Sequence, residues 1–339
     1  MNINTFESSL KPPSFVFIEI TRECNLRCKQ CHMWMTTDNP KKSLSSEQKV
    51  EIIEQFHDLN SRGTVVFTGG ETMKKTDEFF LLSKKCRELN LASAANTNGT
   101  YIINELIAQK CVDYGPQYLV ISLDSHLKEK HDYLRGQQGT FDQIINSVSL
   151  LLSARADSQS AKNVRIMINS ILCDLNYQEL DDLVHFAKKL GLDGITFQII
   201  GRTFYKQTKN DPAFELFFPK DRTLFKQKID EFANKYSCDS FVCTTKNDFE
   251  WMKLYVDNPD FIGEPVCSSH ENNIMIDVDG EVQLCFGMRE LLGGKSLGNV
   301  KKLSLRELWF SSISDDARNI MKECRKNCGM LNCHRKTEA

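Results

Sequence analysis

Ser14-Phe15-Val16-Phe17-Ile18-Glu19-Ile20 is followed almost at once by Glu23-Cys24-Asn25-Leu26-Arg27-Cys28-Lys29-Gln30-Cys31. The first stretch has the length and the β-branched and aromatic content of a strand. The second puts three cysteines, separated by three and then two residues, into the loop that leaves it. Working outward, five more short apolar runs read as strands: Thr64–Thr68, Leu91–Asn96, Tyr118–Leu123, Val164–Ser170 and Gly194–Ile200. Amphipathic stretches of helical period lie between them, at Ser46–Ser61, Thr76–Leu89, Tyr101–Cys111, Thr140–Ala154 and Tyr177–Leu190. Ser45-Ser46-Glu47-Gln48 opens the first of these with a hydroxyl cap and an acidic residue. Strand alternating with helix builds βα units on a parallel sheet, the α/β class. Six units predict a partial (β/α)6 TIM-like barrel, short of the eight that close one.

The pattern then changes. Arg202–Pro219 is polar and aromatic without a period and reads as a long surface connection. Helical patterns follow at Asp221–Tyr236 and Asp248–Val256. Asn273–Phe286 alternates around Asp277-Val278-Asp279-Gly280, which predicts a β-hairpin turning at Asp279-Gly280. Short helices are expected at Ser304–Phe310 and Ser314–Glu323. A boundary near residue 240 divides a barrel, residues 1–240, from a small extension, residues 241–339.

Composition narrows the function. Hydrophobic residues are 41% and charged residues 26% of the 339, with a formal net charge of −2. Such a chain has no electrostatic footprint for nucleic acid or an anionic membrane. Met1–Pro13 lacks the basic and apolar regions of a signal peptide, and no apolar run is long enough to span a bilayer. A cytoplasmic protein is expected. Cysteine is the outlier at thirteen. Disulfide frameworks belong to small secreted domains, so these thiols are expected to bind metal or stay reduced. Cys24, Cys28 and Cys31 form one group, and Cys267, Cys285, Cys324, Cys328 and Cys333 another. Two groups predict two metal sites.

Three thiolates on a four-iron cubane leave one iron open to a cofactor or substrate. Zinc is the alternative, but structural zinc takes four closed ligands and the trio has no fourth cysteine nearby. His32, adjacent to Cys31, would strain a tetrahedral site. The other unusual residues fall at strand ends, where α/β barrels keep their chemistry. Strand two ends in Thr68-Gly69-Gly70-Glu71, strand three in Thr97-Asn98-Gly99 and strand four in Ser122-Leu123-Asp124, while strand six carries Gln198. Each alone is also a plain turn or helix cap. Together they mark one rim.

These motifs resemble the radical S-adenosylmethionine superfamily. Arg135-Gly136 followed by Gly139-Thr140-Phe141-Asp142 is similar to its branch with C-terminal SPASM or twitch extensions. The resemblance implies that Cys24, Cys28 and Cys31 hold a [4Fe–4S] cluster whose open iron chelates S-adenosylmethionine. Reductive cleavage then yields a 5′-deoxyadenosyl radical that takes a hydrogen atom from the substrate. It implies that Gly70 and Glu71, beside Gly69, bind the methionine amino group. Asn98 and Ser122 would face the ribose or methionine portion, and Arg135 the carboxylate, which its guanidinium fork suits. Asp124 and Gln198 are further cofactor-binding candidates on the rim. The position before Cys31, often aromatic in that family and near the adenine, is Gln30 here. Thr72-Met73 stands where a proline commonly follows the glycine pair.

The second cysteine group resembles the SPASM and twitch pattern, including the hairpin glycine Gly280 and the segment Leu305-Arg306-Glu307-Leu308-Trp309. Five cysteines suit one auxiliary [4Fe–4S] cluster with a spare thiol, and are too few for the two clusters of a full SPASM domain. A zinc ribbon is the alternative there. Cys86, Cys111 and Cys173 lie in apolar contexts and read as core. Cys238 and Cys243 are candidate hydrogen donors to a substrate radical, by analogy with peptide epimerases of the superfamily. The expected reaction is epimerisation, crosslinking or oxidation of a ribosomally made peptide. The alternative is a dehydrogenase or epimerase of a sugar, aminocyclitol or other small molecule. A non-catalytic zinc or iron–sulfur protein on the same scaffold is a third possibility. Cys24 comes so early that no leader-binding domain is expected before the barrel, and a flavodoxin- or ferredoxin-type electron donor is the expected protein partner.

Overall fold

The computed structural model describes residues 10–158, 164–201, 212–260 and 267–325. In chain order, β1 (Phe15–Thr21), α1 (Ser46–Leu59), β2 (Thr64–Gly69), α2 (Thr76–Glu88), β3 (Ala92–Thr97), α3 (Glu105–Tyr114) and β4 (Tyr118–Ser122) come first. Then follow α4 (Lys128–Arg135), α5 (Thr140–Asp157), β5 (Arg165–Leu172), α6 (Leu180–Lys189), β6 (Gly194–Ile199), α7 (Pro212–Phe217), α8 (Arg222–Lys235) and α9 (Lys246–Asp257). The C-terminal part contributes α10 (Ser269–Asn272), β7 (Asn273–Ile276), β8 (Val282–Gln283), α11 (Met288–Leu291), α12 (Leu305–Trp309) and α13 (Ser312–Lys322).

The strands form one sheet in the order β6-β5-β4-β3-β2-β1-β7-β8. β1 to β6 pair in parallel, as the βα alternation predicts. β7 adds in parallel to the free edge of β1, and β8 returns antiparallel as the predicted hairpin. The extension therefore prolongs the barrel sheet. Each strand buries one face. On β1, Val16, Ile18 and Ile20 are fully buried under the helices, where each contributes roughly 1.5–3 kcal/mol. Truncating Ile18 to alanine there would cost roughly 2–5 kcal/mol. Phe17 and Glu19, on the opposite face, are half-buried.

Three helices differ from expectation. α3 begins after Asn104, whose side chain accepts from the Ile107 N–H, and so starts later than Tyr101. α4 carries no apolar stripe: apart from Leu134 its buried residues are His131, Asp132 and Arg135. Hydrophobic periodicity is blind to a helix whose inner face is polar. α7 lies where a surface connection was expected, and places Phe217 at 2% and Phe218 at 5% exposure in the core. Residues 202–211 of that stretch lie outside the described residues.

Candidate active site

The three cysteines leave β1 on a loop clasped from four sides. Asp38 brings the chain back to the strand end, accepting from Thr21 Oγ1 at 2.6 Å, from the Arg22 N–H at 2.8 Å and from Lys75 Nζ at 2.8 Å. From β2, the Gly70 N–H donates to the Thr21 carbonyl at 2.7 Å and the Glu71 N–H to the Glu23 carbonyl at 2.9 Å. A Cβ on Gly69 would lie 2.2 Å from the Thr21 oxygen, and one on Gly70 2.3 Å from the Glu23 oxygen. The glycine pair is what lets two backbones meet here. From α4, the Leu134 carbonyl accepts from the Lys29 N–H at 2.9 Å. Gly136, left-handed at φ +68°, presses so close that a Cβ would sit 2.1 Å from the Arg27 oxygen. From β3, Asn98 Nδ2 donates to Asn25 Oδ1 at 2.9 Å and lies 3.9 Å from Cys24 Sγ.

Cys28 is buried, and Cys24 and Cys31 are half-buried. Burial pushes all three thiols up, Cys31 to about 11, and their mutual proximity adds to the rise in Cys24 and Cys31. Thiols held protonated in this way ionise when a cation joins them, which a metal cluster supplies. Among the described residues no three Cys, His, Asp or Glu side chains close on a single metal ion. A multi-iron cluster, which spreads its ligands more widely than tetrahedral zinc, suits such a trio. Two buried polar atoms beside the thiols, Gln30 Oε1 and Arg135 Nε, have no hydrogen-bond partner among the described residues. The loop therefore fits a cluster with a polar organic ligand.

Several expected cofactor contacts are placed differently. Glu71 is 1% exposed, and its carboxylate accepts from Thr97 Oγ1 at 2.6 Å, the Asn98 N–H at 2.6 Å and the Met73 N–H at 2.9 Å. Its side chain is thus taken up in joining the β2 and β3 loops, and only its backbone faces the cysteine loop. Burial raises its pKa. Arg135 is buried: Nη2 lies 2.8 Å from Asp124 Oδ2 and Nη1 4.0 Å from Cys28 Sγ. Asp124, fully buried, also accepts from Gln30 Nε2 at 2.9 Å and the Ile171 N–H at 3.0 Å. That carboxylate braces Gln30, Arg135 and the Ile171 backbone from inside the protein. His131 Nδ1 accepts from the Asp124 N–H at 3.2 Å, and burial, with Arg135 nearby, lowers its pKa to about 2. Ser122 and Gln198 are half-buried near the C-terminal ends of β4 and β6. Asp38 and His131 escaped the sequence reading, and Asn25, Gln30 and Thr97 stood there within motifs without an assigned contact. Only their closeness to the cysteine or glycine motifs signals some of them.

The second group is brought together in part. Cys267, Cys285 and Cys324 are half-buried, and Cys267 lies close enough to Cys324 to feel its charge. Burial raises the Cys267 thiol. Cys328 and Cys333 lie outside the described residues. A polar bridge joins this region to the first loop: Arg22 reaches Glu19 at 3.6 Å, Asp277 at 3.2 Å and Asp279 at 2.9 Å, and Arg289 meets Asp277 at 2.7 Å. Beside that bridge lies a cavity of about 280 Å³, walled by Phe17, Glu19, Met33, Met275 and Phe286. Met33 is two residues beyond Cys31, and Phe286 follows Cys285.

Cys243 lies at the end of the sheet opposite the cysteine loop. The Cys243 N–H donates to the Ile195 carbonyl at 2.8 Å, and its sulfur lies 3.0 Å from where a Cβ on Gly194 would be. Gly194 begins β6, whereas the cysteine loop leaves the other end of the sheet, five residue steps of about 3.3 Å away. Cys238 is exposed in the same turn region, after α8. Cys86, Cys111 and Cys173 are buried core thiols, each pushed up to about 12 by burial. Among the described residues no helix is long and apolar enough to cross a membrane.

Comparison with known proteins agrees with this geometry. The family model of the radical SAM superfamily matches residues 18–187, and that of SPASM, an iron–sulfur cluster-binding domain, matches residues 267–334. The AdoMet-dependent heme synthase of Oleidesulfovibrio alaskensis is 29% identical over 173 residues, which are 51% of this chain and 42% of that protein. The antilisterial bacteriocin subtilosin biosynthesis protein AlbA of Bacillus subtilis is 26% identical over 228 residues, 66% of this chain and 47% of that protein. This chain thus spans less than half the length of either relative. Streptococcus suis SuiB bound to S-adenosylmethionine shares the fold, with a TM-score of 0.69 over 94% of this chain and 73% of its own, at 16% identity. The chain belongs to the radical SAM superfamily, in the branch with a C-terminal SPASM domain, and its cofactors are S-adenosylmethionine, a radical SAM [4Fe–4S] cluster and auxiliary iron–sulfur binding.

Proposed function

We propose that this enzyme modifies a ribosomally made peptide, by epimerisation, crosslinking or oxidation. The observation that carries the proposal is the open inner face of the sheet. Asn96 is exposed there near the C-terminal end of β3, after the small half-buried Ala92 and Ala94, and the face runs out to Ser122 and Gln198. An exposed polar strip with small side chains admits an extended chain segment, where a closed barrel would fill the same space with its own core. The AlbA relative acts in bacteriocin biosynthesis by its name, and SuiB has been solved with its precursor peptide SuiA. Both support the proposal by likeness.

Cys24, Cys28 and Cys31 would hold the radical cluster, and four of Cys267, Cys285, Cys324, Cys328 and Cys333 one auxiliary [4Fe–4S] cluster. Once bound and reduced, the first cluster with S-adenosylmethionine supplies the radical that abstracts a substrate hydrogen. The chain's own residues do the rest. The Gly70 backbone and Asn98 flank the thiol loop, Ser122 lines the inner face, and Arg135, charge-balanced by Asp124, keeps positive charge behind Cys28. Arg27 and Lys29 are exposed on the loop and offer an acidic one-electron carrier of flavodoxin or ferredoxin type a docking surface near the cluster. The reduced thiols accord with a cytoplasmic setting.

A small-molecule dehydrogenase or epimerase is the second reading. The cavity of about 280 Å³ favours it, being of the size for a sugar ring or one amino-acid side chain. One experiment separates the two. Anaerobically reconstituted protein should carry about eight irons per chain and form 5′-deoxyadenosine on reduction. It is then offered any short peptide found encoded next to its gene, and the peptide is weighed by mass spectrometry in deuterated water. Loss of two hydrogens, or gain of one solvent deuterium, supports peptide modification. An unchanged peptide, with turnover only on a sugar or cyclitol, replaces it with the second reading.

A further inference from the structure

The cavity beside the Arg22 bridge has walls of two kinds. Phe17 from β1, Met33 beyond the cysteine loop, Met275 from β7 and Phe286 after β8 supply the apolar part. Met275 pairs with Phe17 across the β1–β7 ladder, so the two side chains share one face of the sheet. Phe17 and Phe286 meet edge to face, with ring centroids 5.6 Å apart at 72°. Phe17, Met33 and Phe286 are each only half-buried, so three large apolar side chains leave bare surface on one space. Covering such surface is favourable in proportion to its area.

The polar part is closed on itself. Arg22 meets Glu19 at 3.6 Å and Asp277 at 3.2 Å, and Arg289 meets Asp277 at 2.7 Å. Two cations thus face two anions along the wall, which offers no net charge to a charged ligand. Thr68 and Gln283 add neutral polar groups beside them. Size narrows the occupant further. An apolar cavity of roughly 150 Å³ holds a benzene ring, so about 280 Å³ takes a phenol or an indole and is loose around leucine or valine. A sugar ring fits by volume, but its hydroxyls need donors and acceptors, and the charged groups of this wall are engaged with one another. Ring edges, thioether sulfurs and the flat guanidinium of Arg289 are the neighbours that favour an aromatic ring over an aliphatic chain.

From these walls we infer that the cavity seats one aromatic side chain, tyrosine or tryptophan, of the substrate peptide, with Thr68 and Gln283 available to its hydroxyl or ring N–H. The inference rests on the proposed peptide modification and names the residue class that the enzyme reads. Met33 stands two residues beyond Cys31, so the seated residue lies beside the cysteine loop.

The test is a titration of the reconstituted holoenzyme, loaded with S-adenosylmethionine, followed by ligand-observed nuclear magnetic resonance. The probes are the N-acetyl amides of tryptophan, tyrosine, leucine and lysine, and myo-inositol. The aromatic amides should bind about tenfold more tightly than the leucine amide, and the lysine amide no better than leucine. Phe286→Leu, which keeps an apolar wall but removes a ring, should narrow that preference. Thr36→Trp, at an exposed position lining the cavity, should fill the space and abolish it while iron content is kept. Leucine amide binding wild type as tightly as the aromatic amides, or no binding of either aromatic amide, would overturn the inference and leave peptide modification standing. That comparison needs no variant to fold. Undiminished aromatic preference in Thr36→Trp would overturn it too, by seating the ring elsewhere. Binding of myo-inositol in place of every amide would instead bring down the peptide reading beneath it.

Discussion

The two cysteine groups solve the same problem by opposite means. Cys24, Cys28 and Cys31 sit on one loop, so the chain itself sets their spacing and the fold only has to clamp the loop. It does so with Asp38, Gly69-Gly70, Asn98 and the end of α4. Cys267, Cys285 and Cys324 stand on separate segments, and Cys267 comes near Cys324 only because α13 packs on α10 and β7 docks on β1. Trp309 and Arg22 make that docking, the first donating from Nε1 to the Lys11 carbonyl at 3.1 Å, the second through its three carboxylate partners. A site made by local spacing should tolerate loss of distant contacts. A site made by docking should not.

The largest effect expected from this contrast is on the clusters themselves. Cys28→Ala should abolish formation of 5′-deoxyadenosine and remove the radical-cluster signal, while Cys285→Ala removes only the auxiliary iron and leaves reductive cleavage in place. Iron per chain and product yield, measured together, check it, and loss of cleavage in both variants would erase the distinction. Arg22→Met comes next. Stripping this cation leaves the part-buried Glu19 and Asp279 carboxylates uncompensated, while Asp277 keeps Arg289, at a cost of about 3 kcal/mol. Chemical denaturation should show it, with auxiliary iron falling before radical-site iron.

Gly136→Ala tests the clamp on the first loop. A left-handed φ and a Cβ crowding the Arg27 carbonyl together predict a loss above about 1 kcal/mol. Here radical-site iron should suffer and auxiliary iron should not, which iron analysis of each site by spectroscopy can follow. Cys243→Ser should do least. Set at the start of β6, at the end of the sheet opposite the cysteine loop, it should shift stability within about 0.5 kcal/mol and leave product formation unchanged. A lost product there would restore it as a hydrogen donor.

Much of the sheet was legible because strands and helices repeat a local pattern: Val16, Ile18 and Ile20 alternate as a half-buried strand must. The glycine pair was legible as a motif, but its cause was not, since only the approach of Thr21 and Glu23 explains why no side chain fits. α4 was missed because its inner face is made of His131, Asp132 and Arg135, which pair with polar partners instead of apolar ones. Glu71 was expected to contact the cofactor by resemblance, and Asp124 from its place on the rim. Their burial and hydrogen bonds, which sequence does not carry, turned them inward.

By itself the sequence determined what short range can encode: the βα order, the three-cysteine loop, the candidate rim and, through those motifs, the superfamily. Tertiary structure alone decided that the Glu71 and Asp124 carboxylates bond within the protein. It also decided that Cys243 lies at the wrong end of the sheet, and that β7 extends the sheet beside β1. The reason is range. Spacing within a loop is written in the chain, whereas the partners of a buried charge come from segments tens to hundreds of residues away and exist only once those segments pack.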